Sequence, residues 1–434
     1  MRIVDLIHRK RDGEELSTED IAWLIEGYRG GEIPDYQMAA FAMAVYYSGM
    51  SDREVSALTD CLVASGDRLD LSSIPGVKVD MLSTGGVGDK ANLIAAPLAA
   101  AAGAVVPVIS GRGLGYTGST LDKLESIPGF GTGLTFEQFR DQLASTRLAF
   151  AGQDEQLAPA DGKLFGLRDA TATLEAIPLI AASIMSNKLA AGLDALVLDV
   201  KVGSGALIKR QVDARRLAQM MVGIARRTDR RLQALITDMS QPLGFAIGNA
   251  LEIMEVSQTL QSAGPNDLTR LALELAARMI HLGRVTETLD QARELAQSKL
   301  LDGSGYQKLK EVIELQGGNP LVMDRFELLP NATGAREVTS PRAGFVTAIA
   351  AEDIGRAACM IGAGRETRED QIDPAVGVIL EVKVGEKVEA GAVLCRLYNT
   401  REDRLEEAAQ LVEDAFRISS HPPEERELIL EVVG

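Results

Sequence analysis

The spacing of apolar and polar positions changes along the chain, and its first part has the spacing of helices. In STEDIAWLIEGYRGG (17–31), Ile21, Leu24 and Tyr28 recur every three or four positions and share one helix face. The Ser-Thr pair that opens this stretch can cap the helix. SDREVSALTDCLVASG (51–66) repeats the pattern between a serine and a glycine. This part of the chain is predicted to be a small helical lobe.

Farther along, short apolar runs alternate with long amphipathic stretches. The runs AAGAVVPVISG (101–111), LDALVLDVKVG (193–203) and RLQALITDM (231–239) have the length and composition of buried strands. Between the last two, VDARRLAQMMVGIARR (212–227) has helical spacing. The alternation predicts a mostly parallel sheet with helices on its faces.

Two further stretches depart from this alternation. Residues 160–192 are rich in Ala, Leu and Ser, look helical, and could return to the helical lobe. Turn formers accumulate at 329–344, which we interpret as a linker. Beyond it, VKVGEKVEAGAVL (382–394) resembles the hammerhead strands of biotinyl and lipoyl carriers. Lys383 lies in Val-Lys-Val rather than Met-Lys-Met, so a structural β-rich lobe without a prosthetic group is expected.

These patterns predict a fold of class α/β plus α with three lobes. The lobes are a helical lobe at 1–66 to which 160–192 returns, an α/β lobe with a mostly parallel sheet at 78–159 and 193–330, and a C-terminal α+β lobe, resembling a barrel-sandwich, at 340–434.

Composition limits the partners. The 62 acidic residues outnumber the 45 basic ones and give a net charge of −17, which argues against binding DNA or RNA. The first residues become charged within eight positions, so neither a signal peptide nor a membrane span is expected and the interpretation is a cytoplasmic protein. Cys61, Cys359 and Cys395 are scattered, which favours neither a disulfide framework nor a zinc site.

Two glycine-rich turns carry the candidate chemistry. STGGVGDK (83–90) follows the apolar run VKVDML, and SGRGLGYTGST (110–120) follows a predicted strand. Neither has Walker spacing or the dinucleotide fingerprint. If the two strands are adjacent and parallel, the turns meet at one sheet edge and can aim N–H groups at an anion. Glycine-driven packing is the alternative that this pattern leaves open.

Longer motifs make the chain similar to a known family. They are STGGVGDK, SGRGLGYTGSTLDKLESIPGF, LAPADGKLFGLRDATATLEAIPLIAASIMS, LDALVLDVKVGSGA, DMSQPLGFAIGNALE and IGAGR, and together they resemble the thymidine and pyrimidine-nucleoside phosphorylases. The resemblance implies a homodimer whose lobes close over a cleft. It also implies reversible phosphorolysis of a pyrimidine nucleoside to free base and pentose 1-phosphate, with inorganic phosphate as co-substrate and no organic cofactor.

The resemblance also implies site residues. The phosphate-binding positions are Ser83, Gly85, Asn92, Ser110 and Thr120; the base-binding positions are Leu82, Tyr116, Arg168, Ser183, Asn187 and Lys188, of which Arg168 is the catalytic candidate. Plain structural roles remain open for the hydroxyls as turn or helix residues. Arg168 could instead form an ion pair with Asp169 or Asp161.

The family binds potassium near the first glycine turn. Gly88, Leu243, Ala246 and Glu255 occupy the matching positions, and carbonyl and carboxylate oxygens suit such a cation. Lys90 occupies a further matching position, and its ammonium could sit in the place of the ion.

Five positions depart from the family pattern. Met81 and Leu82 stand where lysine and histidine are usual, Asn92 replaces a serine or threonine, Tyr116 a histidine and Asn187 a lysine. Phosphate binding should suffer, because a charge-assisted hydrogen bond contributes about 1.5–3 kcal/mol. The apolar pair should make the base side of the cleft drier.

Three hypotheses follow from these departures. The chain is an active nucleoside phosphorylase with shifted substrate preference, an enzyme of the same fold with another acceptor or glycosyl donor, or a catalytically silent homologue kept for binding. Anthranilate phosphoribosyltransferases are related examples of the second kind.

Overall fold

A computed structural model describes residues 2–112, 116, 118–154, 156–367 and 370–434. Among these the helices are α1 (Ile3–Arg11), α2 (Thr18–Gly30), α3 (Asp35–Ser48), α4 (Asp52–Ala64), α5 (Asn92–Ala101), α6 (Thr120–Glu125), α7 (Phe136–Thr146), α8 (Pro159–Ala170), α9 (Ile177–Ala190), α10 (Gln211–Arg227), α11 (Asn249–Leu260), α12 (Asn266–Leu282), α13 (Leu289–Leu301), α14 (Ser304–Leu315), α15 (Ala351–Ala358) and α16 (Leu405–Ala415). The strands are β1 (Val79–Ser83), β2 (Val106–Ser110), β3 (Leu148–Gly152), β4 (Ala195–Val202), β5 (Arg231–Asp238), β6 (Ala246–Ile247), β7 (Gly334–Thr339), β8 (Gly344–Ile349), β9 (Gly377–Leu380), β10 (Lys387–Val388), β11 (Val393–Asn399), β12 (Phe416–Ser419) and β13 (Ile429–Val433).

The helical lobe forms from α1–α4 together with α8 and α9. Ser17 caps α2 by accepting a hydrogen bond from Asp20 N, and the Asp20 carboxylate accepts one from Ser17 N in return. Side chains of α4, α8 and α9 share one buried apolar cluster, which includes Leu58, Leu164 and Leu179. Helices α8 and α9 therefore pack against the N-terminal helices, although the α/β lobe precedes and follows them in the chain.

The sheet of the α/β lobe is mostly parallel. β1, β4 and β5 pair in parallel, and β2 pairs in parallel with β3. A parallel bridge between Lys78 and Val105, with Val79 N donating to Val105 O at 2.9 Å, places β1 beside β2. β2, β4 and β5 lie inside the three runs that the sequence predicted as strands. Because β1 and β2 are neighbours and parallel, both glycine turns leave the same edge of the sheet.

The third lobe contains two small sheets, with the strand orders β6-β9-β11-β7 and β10-β8-β12. Its boundaries differ from the prediction in three ways. β6, inside the range 193–330 predicted for the α/β lobe, pairs with β9 in the third lobe. β7 lies within 329–344, so that stretch is not purely a linker. β13, placed by the sequence in the third lobe at 340–434, instead pairs antiparallel with β5 and completes the α/β sheet. β7 pairs with β11, and β13 pairs with β5. Both pairings join residues far apart in the chain, so local sequence patterns could not indicate them.

Among the described residues, no helix has both the length and the apolar character that crossing a membrane requires.

Candidate active site

The first glycine turn is fixed from within by hydrogen bonds. At the end of β1, Ser83 Oγ donates to the Asp89 carboxylate and accepts from Gly85 N at 3.1 Å. Thr84 Oγ1 accepts from Lys201 N at 2.9 Å, which ties the turn to β4. Two predicted phosphate donors, the Ser83 hydroxyl and the Gly85 amide, are thus engaged inside the turn.

Asn92 and Thr120, two predicted phosphate-binding residues, lie in contact. Asn92 Nδ2 donates to Thr120 Oγ1 at 3.2 Å, which connects the start of α5 to the start of α6. Asn92 Oδ1 is buried and has no hydrogen-bond partner among the described residues. Ser110, at the end of β2, donates to the carbonyl of Gly111 at 3.3 Å. An unpartnered acceptor beside a phosphate site is unfavourable for an anion, because an anion needs donors.

The second glycine turn is described only in part, since Gly113, Leu114, Gly115 and Thr117 lie outside the described residues. Tyr116 is described, and it packs against the apolar cluster of the third lobe. A Cβ added to Gly355 of α15 would lie 2.9 Å from Tyr116 Cδ2, so the ring packs closely on that helix. The structure therefore shows Tyr116 in contact with the third lobe, and its predicted contact with the base stays a prediction.

On the base side, Asp161 organises the predicted residues. Its Oδ2 accepts from Ser183 Oγ at 2.8 Å and from Asn187 Nδ2 at 2.7 Å, which joins α8 to α9. Its Oδ1 is buried without a hydrogen-bond partner among the described residues. Burial raises the pKa of the Asp161 carboxyl, and the two hydrogen bonds oppose this only in part. The sequence indicated Asp161 only as an ion-pair partner of Arg168; its helical spacing with Arg168 was the available signal.

Asn187 presents an acceptor rather than a cation. Its Nδ2 donates to Asp161 and to the carbonyl of Ser183 at 2.9 Å, so both amide hydrogens are used. Its Oδ1 accepts from Gln153 Nε2 at 2.5 Å. Where the family pattern has an ammonium donor, this chain therefore offers a carbonyl oxygen.

Arg168 is 1% exposed, and its observed partners are main-chain carbonyls. Its guanidinium donates to Leu174 O at 2.7 Å, Leu179 O at 3.2 Å and Thr173 O at 3.4 Å. Burial lowers the pKa of Arg168 to about 10. These bonds hold the connection between α8 and α9, so the structure shows a structural role. A contact with a base would have to come from the remaining N–H groups.

Lys188 lies behind the edge of the sheet. Its Nζ donates to Asp80 Oδ2 at 2.5 Å and to Ile109 O at 2.8 Å, and both side chains are buried. Burial raises the pKa of Asp80 even beside this ammonium. Lys188 thus joins β1 to β2, and its predicted contact with the base stays a prediction.

Met81 and Leu82 point to opposite sides of β1. Met81 is 2% exposed and packs into the core of the α/β lobe. Leu82 is half-buried and packs against the cluster of the helical lobe. Met81 therefore does not line the mouth of the turn, whereas Leu82 lies toward the lobe that carries the base-side residues.

The expected potassium ligands surround a side chain of the protein. Lys90 Nζ donates to Ala246 O at 2.7 Å and Leu243 O at 3.2 Å, and Glu255 Oε2 lies 2.6 Å away as an ion-pair contact. At Gly88, where φ is +71°, an added Cβ would lie 2.6 Å from Leu243 O. The residues present do not fit an added potassium ion, because a second cation would meet the ammonium. Of the two alternatives that the sequence left open here, the contacts of Lys90 favour the ammonium.

The family models that match this chain place it in a class of enzymes that transfer glycosyl groups. The Glycosyl transferase family helical bundle domain matches residues 4–66, the a/b domain of that family matches 76–306, and the Pyrimidine nucleoside phosphorylase C-terminal domain matches 345–419. The fold resembles anthranilate phosphoribosyltransferase from Thermus thermophilus, with a TM-score of 0.60, 17% identity, and coverage of 72% of this chain and 99% of that one.

Curated relatives narrow this class. The chain is 47% identical over 434 residues to a pyrimidine-nucleoside phosphorylase of Geobacillus stearothermophilus, covering 100% of both sequences. It is 49% identical over 420 residues to the enzyme of the same name from Bacillus subtilis, covering 97% of each. The chain belongs to the pyrimidine-nucleoside phosphorylase family.

Proposed function

We propose that this protein catalyses reversible phosphorolysis of a nucleoside, with altered recognition of base and phosphate. The observation that carries the proposal is the common edge of β1 and β2, where Ser83 and Ser110 end adjacent parallel strands and two glycine turns follow. Main-chain N–H groups and hydroxyls gathered at such an edge suit an oxyanion. The names of the relatives support the same chemistry.

Phosphate would be held mainly without an uncompensated cation. Positions 81 and 82 supply apolar side chains, and the lysines near the first glycine turn are each paired with a carboxylate: Lys188 with Asp80, Lys90 with Glu255, Lys123 with Glu252 and Lys201 with Asp199. Losing one charge-assisted hydrogen bond weakens binding by about 1.5–3 kcal/mol, or roughly one to two decades in affinity. We infer a high KM for phosphate. The Ser83 hydroxyl contributes a donor only when its hydrogen turns away from Asp89.

Base recognition would rest on acceptors. Asn187 Oδ1 accepts a hydrogen bond from Gln153, and the buried Asp161 Oδ1 has no partner among the described residues. As acceptors, both oxygens would favour a base that presents N–H groups. A cytosine-type base carries an exocyclic amino group where uracil and thymine carry a carbonyl oxygen. We infer a shift of preference toward pyrimidines with that amino group.

A homodimer is part of the proposal. Along α3, the apolar side chains of Tyr36, Met43 and Tyr47 follow one stripe and are exposed, Tyr36 by 74% and Tyr47 by 81%. Tyr46 and Val4 of α1 extend this surface. A second copy would cover it, in line with the homodimers that the family resemblance implies. Light scattering on Tyr47→Glu should show dissociation relative to the wild-type chain.

A nucleoside panel tests the function. The full chain is incubated with uridine, thymidine, cytidine and deoxycytidine, with and without inorganic phosphate, and free base is quantified. Phosphate-dependent release supports the proposal, with cytidine-type substrates preferred. Release without a phosphate requirement would favour the alternative of another acceptor or donor. No release, together with thermal stabilisation by nucleosides, would favour a silent binding homologue.

A further inference from the structure

The ammonium group of Lys90 is enclosed by oxygen atoms. Lys90 is 1% exposed, and its ammonium contacts the carbonyls of Leu243 and Ala246 and the carboxylate of Glu255. Two N–H groups of Nζ donate to the carbonyls, and the carboxylate oxygen Oε2 of Glu255 lies 2.6 Å from Nζ as an ion pair.

The oxygen atoms around Lys90 are themselves held in place. Glu255 Oε1 accepts from Phe245 N at 2.8 Å and from Ala246 N at 3.2 Å, which fixes the carboxylate against the segment 242–248. Leu243 N donates to Val87 O at 3.1 Å, so this segment also lies against the first glycine turn. The oxygen cradle, made of the Leu243 and Ala246 carbonyls and the Glu255 carboxylate, is therefore a preformed arrangement on which Lys90 closes.

The same segment connects the α/β lobe to the third lobe. β6, which begins at Ala246, pairs with β9. Lys383, between β9 and β10, donates to Gly244 O at 2.8 Å and pairs with Asp267 at 2.9 Å. Lys90 thus reaches from the glycine turn to the segment that anchors the third lobe.

Carbonyl and carboxylate oxygens are ligands that a hard monovalent cation accepts. A lysine ammonium carries the same single charge and forms equally short contacts with oxygen. We propose that Lys90 is a built-in replacement for a bound monovalent cation, so that the first glycine turn and the 242–248 segment stay joined without added potassium. The proposal concerns the stability of this region and does not depend on which substrate the protein takes.

The test compares cation dependence of thermal unfolding in three full-length chains. Wild type, Lys90→Thr and Lys90→Met are unfolded at constant ionic strength in choline chloride, with potassium chloride replacing choline stepwise. The Tm of wild type should show no saturable rise as potassium replaces choline. Lys90→Thr adds an oxygen ligand and opens the cradle, so its Tm should start lower and rise saturably with potassium. Lys90→Met removes the charge without adding a ligand, so its Tm should be low and unresponsive.

Two outcomes would overturn the proposal. One is a saturable rise of the wild-type Tm with potassium, which needs no variant to fold. The other is a folded Lys90→Thr chain whose Tm ignores potassium, which would mean that the oxygen cradle does not hold a cation.

Discussion

Asn187 Nδ2 donates a hydrogen bond to Asp161 Oδ2 across 2.7 Å, and this contact joins two helices by a neutral amide and a carboxyl. The family pattern has a lysine at position 187, which would make the same contact an ion pair. Without that cation, less positive charge lies beside the buried carboxyl of Asp161, and burial raises its pKa. The identity of residue 187 therefore affects both the pKa of Asp161 and the polarity offered to a base.

Replacing Asn187 should change base preference. Asn187→Lys exchanges an acceptor for donors, so the ratio of kcat/KM for uridine to kcat/KM for cytidine should rise. We expect a rise of about tenfold, because one hydrogen bond contributes about 1.4 kcal/mol. Steady-state kinetics on both nucleosides measure this ratio. Asn187→Met, of similar length and uncharged, is the control; an equal rise in that variant would show that loss of the amide, not gain of a charge, is responsible.

Asp161→Asn should change how stability depends on pH. Burial raises the pKa of Asp161, so its stabilising contribution is complete below the pKa of the unfolded chain, about 4, and is lost as pH rises through the higher folded-state pKa. The asparagine stays neutral, so the free energy of unfolding of the variant relative to wild type should increase with pH above that point. Urea unfolding at several pH values measures it. The exposed Asp141→Asn serves as control, and a flat difference for Asp161→Asn would contradict the prediction.

The two sides of β1 should respond differently to cationic substitutions. Met81→Lys places a charge among buried apolar side chains. The free energy of unfolding should therefore fall by about 3–5 kcal/mol, as for a buried ion without a partner. Leu82 is half-buried and lies toward the helical lobe, so the Leu82→His chain should fold normally. This variant should also have a higher rate of uridine or thymidine phosphorolysis. Denaturant unfolding and base release check the two variants. A stable Met81→Lys chain would mean that residue 81 reaches solvent at the sheet edge.

Arg168 should matter first for folding. Arg168→Lys keeps the charge but cannot span the carbonyls of residues 173, 174 and 179, so the free energy of unfolding should fall by about 3 kcal/mol. The exposed Arg140→Lys is the matched control. Calorimetric nucleoside binding on the same chain tests the predicted base contact, because unchanged affinity would remove Arg168 from the site.

The pair of Lys188 and Asp80 should behave as a buried ion pair. Lys188→Met leaves Asp80 without its cation and should destabilise the chain by about 3–5 kcal/mol. Adding Asp80→Asn to Lys188→Met should restore much of that loss, because no charge is then buried alone. A double-mutant cycle of urea unfolding measures the coupling. Additive losses would show that the two residues act independently.

Much of the fold follows from local pattern. The strand runs at 193–203 and 231–239 contain β4 and β5, and the helical stretch 160–192 contains most of α8 and all of α9, because apolar periodicity reflects which face each element buries. The pairing of β13 with β5 was not predicted, because the two strands lie roughly two hundred residues apart in the chain. The sequence of a five-residue strand does not indicate which strand it pairs with.

The site was less predictable for a related reason. Motifs singled out Ser83 and Asn187 but could not show that Ser83 gives its hydrogen to Asp89 or that the Asn187 carbonyl oxygen faces Gln153. Met81 and Leu82 are adjacent letters whose side chains separate to opposite faces of a strand. The sequence could not decide whether a potassium ion or the Lys90 ammonium occupies the expected cation site. The answer depends on whether the Lys90 side chain reaches carbonyls more than 150 positions away in the chain.

The pairing of β13 with β5 also affects the order of folding during synthesis. Residues 429–433 supply the outer strand of a sheet whose other members are translated far earlier. In a chain emerging from the ribosome, the helices and the third lobe can assemble while the outer edge of β5 is still unpaired. The exposed border is then a place where chaperones or neighbouring nascent chains can bind until residues 429–433 have emerged.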